Sequence, residues 1–151
     1  MSIPSSDNQP VRVRRRRRRG VSVLEAALLM PLMLALIFGV IEFAYVFFVK
    51  QTLQSASREG ARRGVLAGAD NSDVQQAVAA AMEAGGLGES TYTVTIRSGD
   101  GAPAAVDGIP AGESVVVEVS APWSQYSVFL SGFGTWSRGE LRSRTAMLRE
   151  E

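Results

Sequence analysis

Glu25 is the one charged side chain between Val21 and Ile41, and it lies five residues beyond Gly20. A carboxylate within an apolar run is expensive in a bilayer and invites a functional explanation. Were the chain cut after Gly20, Val21 would carry a free α-amine that could pair with Glu25 of the same or a neighbouring subunit. A helix N-terminus would favour the carboxylate further. The plainer reading leaves Glu25 at the headgroup level as an interfacial charge. Other chemistry is scarce. The chain has no cysteine and no histidine. That excludes disulfides, Cys/His zinc sites and histidine-dependent acid–base or triad catalysis. Carboxylates, Lys and Ser remain, but no spacing among them marks an active site. No enzymatic activity, cofactor, metal or small-molecule substrate is expected. Asp70, Asp73, Asp100 and Asp107 lack the spacing of an EF-hand loop, and turn formation is their ordinary use.

The element that must position Glu25 is the apolar stretch from Gly20 to Lys50. Its 21 residues from Val21 to Ile41 amount to roughly 31 Å of helix, close to the hydrocarbon thickness of a bilayer. A buried core helix rarely runs so long without polar positions. A cleavable secretory signal shares the basic-then-apolar layout. Its apolar part is usually about 7–15 residues, however, and no A-x-A-like site closes this one. A retained single-pass membrane anchor fits better. Pro31 cannot donate to the Ala27 carbonyl and is expected to kink or loosen the helix. Glu42 falls about 25 Å beyond Glu25 along the axis, near the outer interface, where a charge costs little. Phe43, Tyr45, Phe47 and Phe48 then read as an aromatic belt, or else as packing for a soluble domain.

Charge orients the span. Residues 1–20 carry Arg12, Arg14, Arg15, Arg16, Arg17, Arg18 and Arg19 against Asp7, a net +6, whereas residues 21–151 sum to −5. Only Lys50 directly follows the span. The positive-inside rule keeps the N-terminus in the cytoplasm and sends the C-terminal part across. Arginines next to anionic lipid gain about 1 kcal/mol each. The Arg14–Arg19 run lacks interleaved aromatics and abuts the span, so it reads as a topology signal and not as a nucleic-acid patch. Residues 1–11, with Pro4, Pro10 and small polar side chains, carry a disordered composition.

Basic leader, Gly, four residues, Glu and an apolar helix together resemble the processing site of type IV prepilins and pseudopilins. In detail the sequence resembles the TadE-like pseudopilins of tight-adherence (Flp) pilus assembly. The matching residues are Gly20–Glu25, Ala27–Leu32, Phe38–Phe43, Arg58–Arg62 and Ala146–Glu150. One departure is Ala26, where the family usually has an aromatic residue. The resemblance implies a membrane-anchored structural subunit of the bacterial cell (inner) membrane. It implies cleavage by a prepilin peptidase after Gly20, before Val21. It further implies assembly with pilin and pseudopilin subunits through the N-terminal helix, with Glu25 setting axial register. An uncleaved single-pass subunit whose extracytoplasmic head binds a secretion or envelope component accounts for the span and head equally, but not for Gly20–Glu25.

Beyond the span the helix is expected to continue through Ser55 to Leu66. Ala56, Gly60, Gly64 and Gly68 form a smooth ridge at four-residue intervals that would let another helix approach, unless the chain frays there into a joint. A second helix begins at Asn71-Ser72-Asp73. Ser72 and Gln75 form its capping box, and Val74, Ala77, Val78, Ala81 and Met82 its apolar face. Gly85-Gly86 ends it. Strands are expected at Thr91–Arg97, with Tyr92, Val94 and Ile96 on one face, and at Ser114–Ser120, with Val115, Val117 and Val119 inward. Ser98–Gly112 reads as a loop. The aromatic stretch Pro122–Gly139 (Trp123, Tyr126, Phe129, Phe133, Trp136) is expected to cover the sheet, or else to present a contact surface. Glu140–Arg149 favours a third antiparallel strand, although Leu141, Thr145 and Leu148 would also suit a helix. The expected fold class is α+β. Its parts are a basic leader at 1–20, a transmembrane helix at 21–49 extended into a pilin-like helix, and a small antiparallel-sheet head at 50–151.

Overall fold

The computed structural model describes residues 18–126 and 139–149. Arg12 and Arg14–Arg17 lie outside these residues, as do Phe129, Phe133 and Trp136. Two compact units divide between Ile37 and Phe38. One helix, α1 (Arg18–Gly64), contributes to both; α2 (Asn71–Ala84) and strands β1 (Thr93–Arg97), β2 (Ser114–Pro122) and β3 (Glu140–Leu148) belong to the second. The sheet is antiparallel throughout, in the order β1-β2-β3. The fold is α+β, as the patterning predicts.

The core of the second unit forms where three apolar faces meet. From α1 come Val46, Val49, Leu53, Ala56 and Ala61; from α2 come Val74, Val78 and Met82; from β2 come Val115, Val117 and Val119. Tyr92, Val94 and Ile96 pack against this cluster from the β1 side. Val46 and Val49, which the sequence assigns to the span, are thus core residues of the head. Residues 140–149 are resolved in favour of a strand. β3 pairs with β2 along its whole length, from Glu140 opposite Pro122 to Leu148 opposite Ser114. Alternation puts Leu141, Ser143, Thr145 and Met147 on the core side.

Of four local expectations, the first, second and fourth need correction and the third gains detail. First, α1 ends at Gly64, short of Leu66, and turns of hydrogen bonds follow (Leu66 N–H to Arg63 O, Ala69 N–H to Leu66 O). Gly68 therefore lies off the ridge, at φ 77°, a left-handed conformation suited to glycine. Second, the capping box of α2 is Asp70 with Asp73, because the helix starts earlier than Ser72 requires. The Asp70 carboxylate accepts from Asp73 N–H at 2.9 Å, and that of Asp73 accepts from Asp70 N–H at 3.2 Å. The Ser72 hydroxyl donates to Asp70 instead, at 2.8 Å. Third, the 98–112 loop contains a 3-10 turn at Val106–Gly108, with Val106 and Ile109 buried. The Arg149 guanidinium donates to the carbonyls of both, and Asn71 Oδ1 accepts from Val106 N–H at 2.8 Å. Fourth, Glu42 is buried, 5% exposed, because it lies on the α1 stripe that turns toward Trp123 and Leu141.

Candidate functional site

The residues singled out for processing and assembly sit at the start of α1. Arg18, Arg19, Gly20 and Val21 are its first four residues, and Glu25 is exposed slightly more than one turn further on. The helix passes through Pro31 without a break in assignment. Every residue from Ser22 to Ile41 is exposed. Leu28 is 80% exposed, Leu24 73% and Val23 70%, so the apolar surface is bare on all sides of the helix. Burying one Leu or Val side chain is worth about 1.5–3 kcal/mol, so in water this surface would be strongly unfavourable. Among the described residues this is the one helix long and apolar enough to cross a membrane. The medium that suits a helix apolar all round is lipid or other apolar helices.

From Glu42 onward α1 behaves differently. Burial recurs at Glu42, Val46, Val49, Leu53, Ala56, Gly60 and Gly64, at steps of three and four. The ridge residues Ala56, Gly60 and Gly64 lie on this buried stripe and are occupied within the chain. A Cβ on Gly60 would come 2.6 Å from Val78 Cγ2 and 3.2 Å from Val117 Cγ1. On Gly64 it would come 3.1 Å from Val74 and 3.2 Å from Val115. The helix that approaches the ridge is α2, with β2 beneath it. Gly85, at the other end of α2, rests against Thr52. This pairing order means that α2 runs antiparallel to α1.

All four residues of the aromatic belt, Phe43, Tyr45, Phe47 and Phe48, are exposed. Phe43 and Phe47 contact each other, with ring centroids 4.8 Å apart. Tyr45 is 6.4 Å from the ring of buried Tyr126 and so takes part in head packing. Glu42, Phe43, Val46, Phe47 and Lys50 line a mainly apolar cleft of about 290 Å³ with Trp123 and Leu141. The aspartates serve the backbone. Asp70 and Asp73 cap α2, and Asp100 accepts from the Ser98 hydroxyl and from Ala102 N–H. The Asp73 N–H, then the Ser72 hydroxyl, holds the Asp70 carboxyl below the usual range; Ser98, then Ala102, does the same for Asp100.

One polar feature escaped the sequence reading. Ser57, fully buried on α1, has its Oγ 3.2 Å from Ser143 Oγ and 2.9 Å from Thr145 Oγ1 on β3, and donates to Gln54 O at 3.0 Å. The hydroxyls satisfy one another inside the helix–sheet interface, which a mismatched register would leave unpaired. The signal was the strand period: with Leu141 and Met147 inward, Ser143 and Thr145 must also point inward.

No curated protein and no solved structure matches the chain. A family model does match, that of the TadE-like proteins, over residues 20–62. The matched segment begins at Gly20, includes Glu25 and runs on through Gly60 of the ridge. Across these residues the chain is similar to the TadE-like proteins, which supports a Tad pilus-associated component, and its N-terminal apolar helix is long and apolar enough to cross a membrane.

Proposed function

We propose that the protein is a pseudopilin-like structural subunit of Tad/Flp pilus assembly, held in the bacterial inner membrane by residues 21–49. The Arg14–Arg19 run stays in the cytoplasm and the head lies outside. The observation that carries this reading is the all-round exposure of Ser22–Ile41 with Glu25 as its single charge. Prepilin peptidase cuts after Gly20, and the new Val21 amine pairs with Glu25 of a neighbouring subunit to set axial register. In an assembly with pilin and pseudopilin subunits, the apolar side chains of this segment exchange lipid for neighbouring helices. Mass spectrometry of the membrane-extracted protein tests the cut: a chain beginning at Val21 supports it. Gly20→Leu should block processing while leaving insertion intact. Glu25→Ala should insert yet impair assembly, and normal pilus formation by that variant would remove the register role.

A second reading is favoured by Ala26, where the family usually has an aromatic residue. It is an uncleaved single-pass subunit whose head binds a secretion or envelope component. An intact Arg14–Arg19 run in a host with its own peptidase would select it.

A further inference from the structure

The sheet has two edges, and they are finished differently. On the β1 side, Ala104 N–H donates to Ile96 O at 3.3 Å and Ser98 N–H to Ala102 O at 3.0 Å, so a returning stretch of loop covers the Ile96–Ser98 end of that edge. On the other side, Arg149 N–H donates to Glu113 O at 2.8 Å, and Gly139 O accepts from Trp123 N–H at 2.9 Å. Both bonds point toward β2. Alternation along an antiparallel strand then turns the N–H and C=O of Glu140, Arg142, Arg144, Ala146 and Leu148 away from β2. Among the described residues no backbone group bonds to any of these five. β3 has no proline, glycine or bulge over nine residues. An unpaired edge of this kind is a template for another strand.

The side chains on that edge select among occupants. Arg142 is engaged by Glu140 at 2.8 Å and by Glu118 at 3.8 Å. Arg144 stands opposite Glu118 in register, is exposed, and forms no ion pair among the described residues. Ala146 is exposed and Leu148 is 68% exposed. A second copy fits poorly. Antiparallel pairing of two full β3 edges would set Arg144 directly against Arg144 at the twofold axis, and like charges opposite one another are destabilising.

We propose that the β3 edge docks an extended acidic segment of a different protein by strand addition. The incoming backbone bonds to the five outward residues. An acidic side chain lies opposite Arg144, and apolar ones lie opposite Ala146 and Leu148. The proposal holds whether or not the leader is cleaved.

The test uses the full chain in detergent micelles and two synthetic nine-residue strand peptides. In the first, valine, valine and glutamate, separated by single threonines, face Leu148, Ala146 and Arg144 in antiparallel pairing, and threonine fills every remaining position. The second has lysine for glutamate. The glutamate peptide should bind at least tenfold more tightly and slow amide exchange at Glu140, Arg142, Arg144, Ala146 and Leu148. Arg144→Gln should abolish the preference, and Arg144→Glu should reverse it. The first variant avoids placing a second carboxylate opposite Glu118, so a folding defect in the other leaves the test intact. Equal affinity for the two peptides, binding of neither, or a preference that survives Arg144→Gln would overturn the proposal. So would slow exchange of the five amides in the free protein, whether from pairing within the chain or from self-association.

Discussion

Two stretches of α1 share the same backbone hydrogen bonding and differ in almost everything beside it. Between Ser22 and Ile41 every side chain is exposed, although nearly all are apolar. Between Glu42 and Gly64 one stripe is buried against α2 and the sheet, while Gln51, Gln54, Arg58, Glu59, Arg62 and Arg63 face outward. A helix apolar on all sides is matched to a uniformly apolar medium, and one apolar on a single side is matched to a protein surface with water behind it. The difference teaches that apolar content alone does not mark where the span stops. Val46 and Val49 are as apolar as Val40 and Ile41, yet they are core residues and the others are exposed.

The contrast can be broken most severely in the first stretch. Leu32→Arg with Leu36→Arg places two charges mid-span, at a cost of about 2.5–3.5 kcal/mol each. Alkaline carbonate should then extract the protein from membranes, whereas Leu66→Arg, outside the span, should leave it resistant. In the second stretch, Leu53→Ala opens a cavity in a fully buried position. It should cost about 2–5 kcal/mol in denaturant unfolding of the head in micelles, while Leu32→Ala should leave that midpoint unchanged.

Two glycines on α1 sharpen the comparison further. Gly60→Val collides with Val78 and should cost about 1–3 kcal/mol, partly recovered by Val78→Ala. Gly39→Val meets nothing within 4 Å and should not destabilise the head. The smallest effect is at the cap of α2. The folded Asp70 carboxyl is held low, so its contribution is present above about pH 3.9, the ordinary Asp value, and is lost as pH falls through the lowered folded value. Asp70→Ala should lower the melting temperature slightly at neutral pH and flatten the acid limb of the stability profile.

Much of the head was legible from period and punctuation. Alternation in Thr91–Arg97 and Ser114–Ser120 marks two strands and their inward faces, which the structure places at Thr93–Arg97 and Ser114–Pro122, and Val74, Val78 and Met82 mark the buried face of α2. What misled was short range. Ser72 and Gln75 have capping-box spacing, but so do Asp70 and Asp73, and only the helix start selects between them. Axial distance puts Glu42 near an interface but says nothing about which way its side chain faces. Gly60 and Gly64 were legible as a ridge for a helix, but nothing local says that the approaching helix is the chain's own α2.

By itself the sequence determined the uniformly apolar segment with its lone Glu25, its arginine-rich approach, and the types of α2, β1 and β2, while residues 140–149 stayed open between strand and helix. These are properties of composition and period, which need no knowledge of distant residues. Only the tertiary structure decided that α1 joins the head's core from Val46, that Ser57 meets Ser143 and Thr145, and that β3 is left with an unpaired edge among the described residues. Each of these depends on partners tens of residues away. Burial and hydrogen bonding are settled by which surfaces come together, and the side chain's own identity leaves that open.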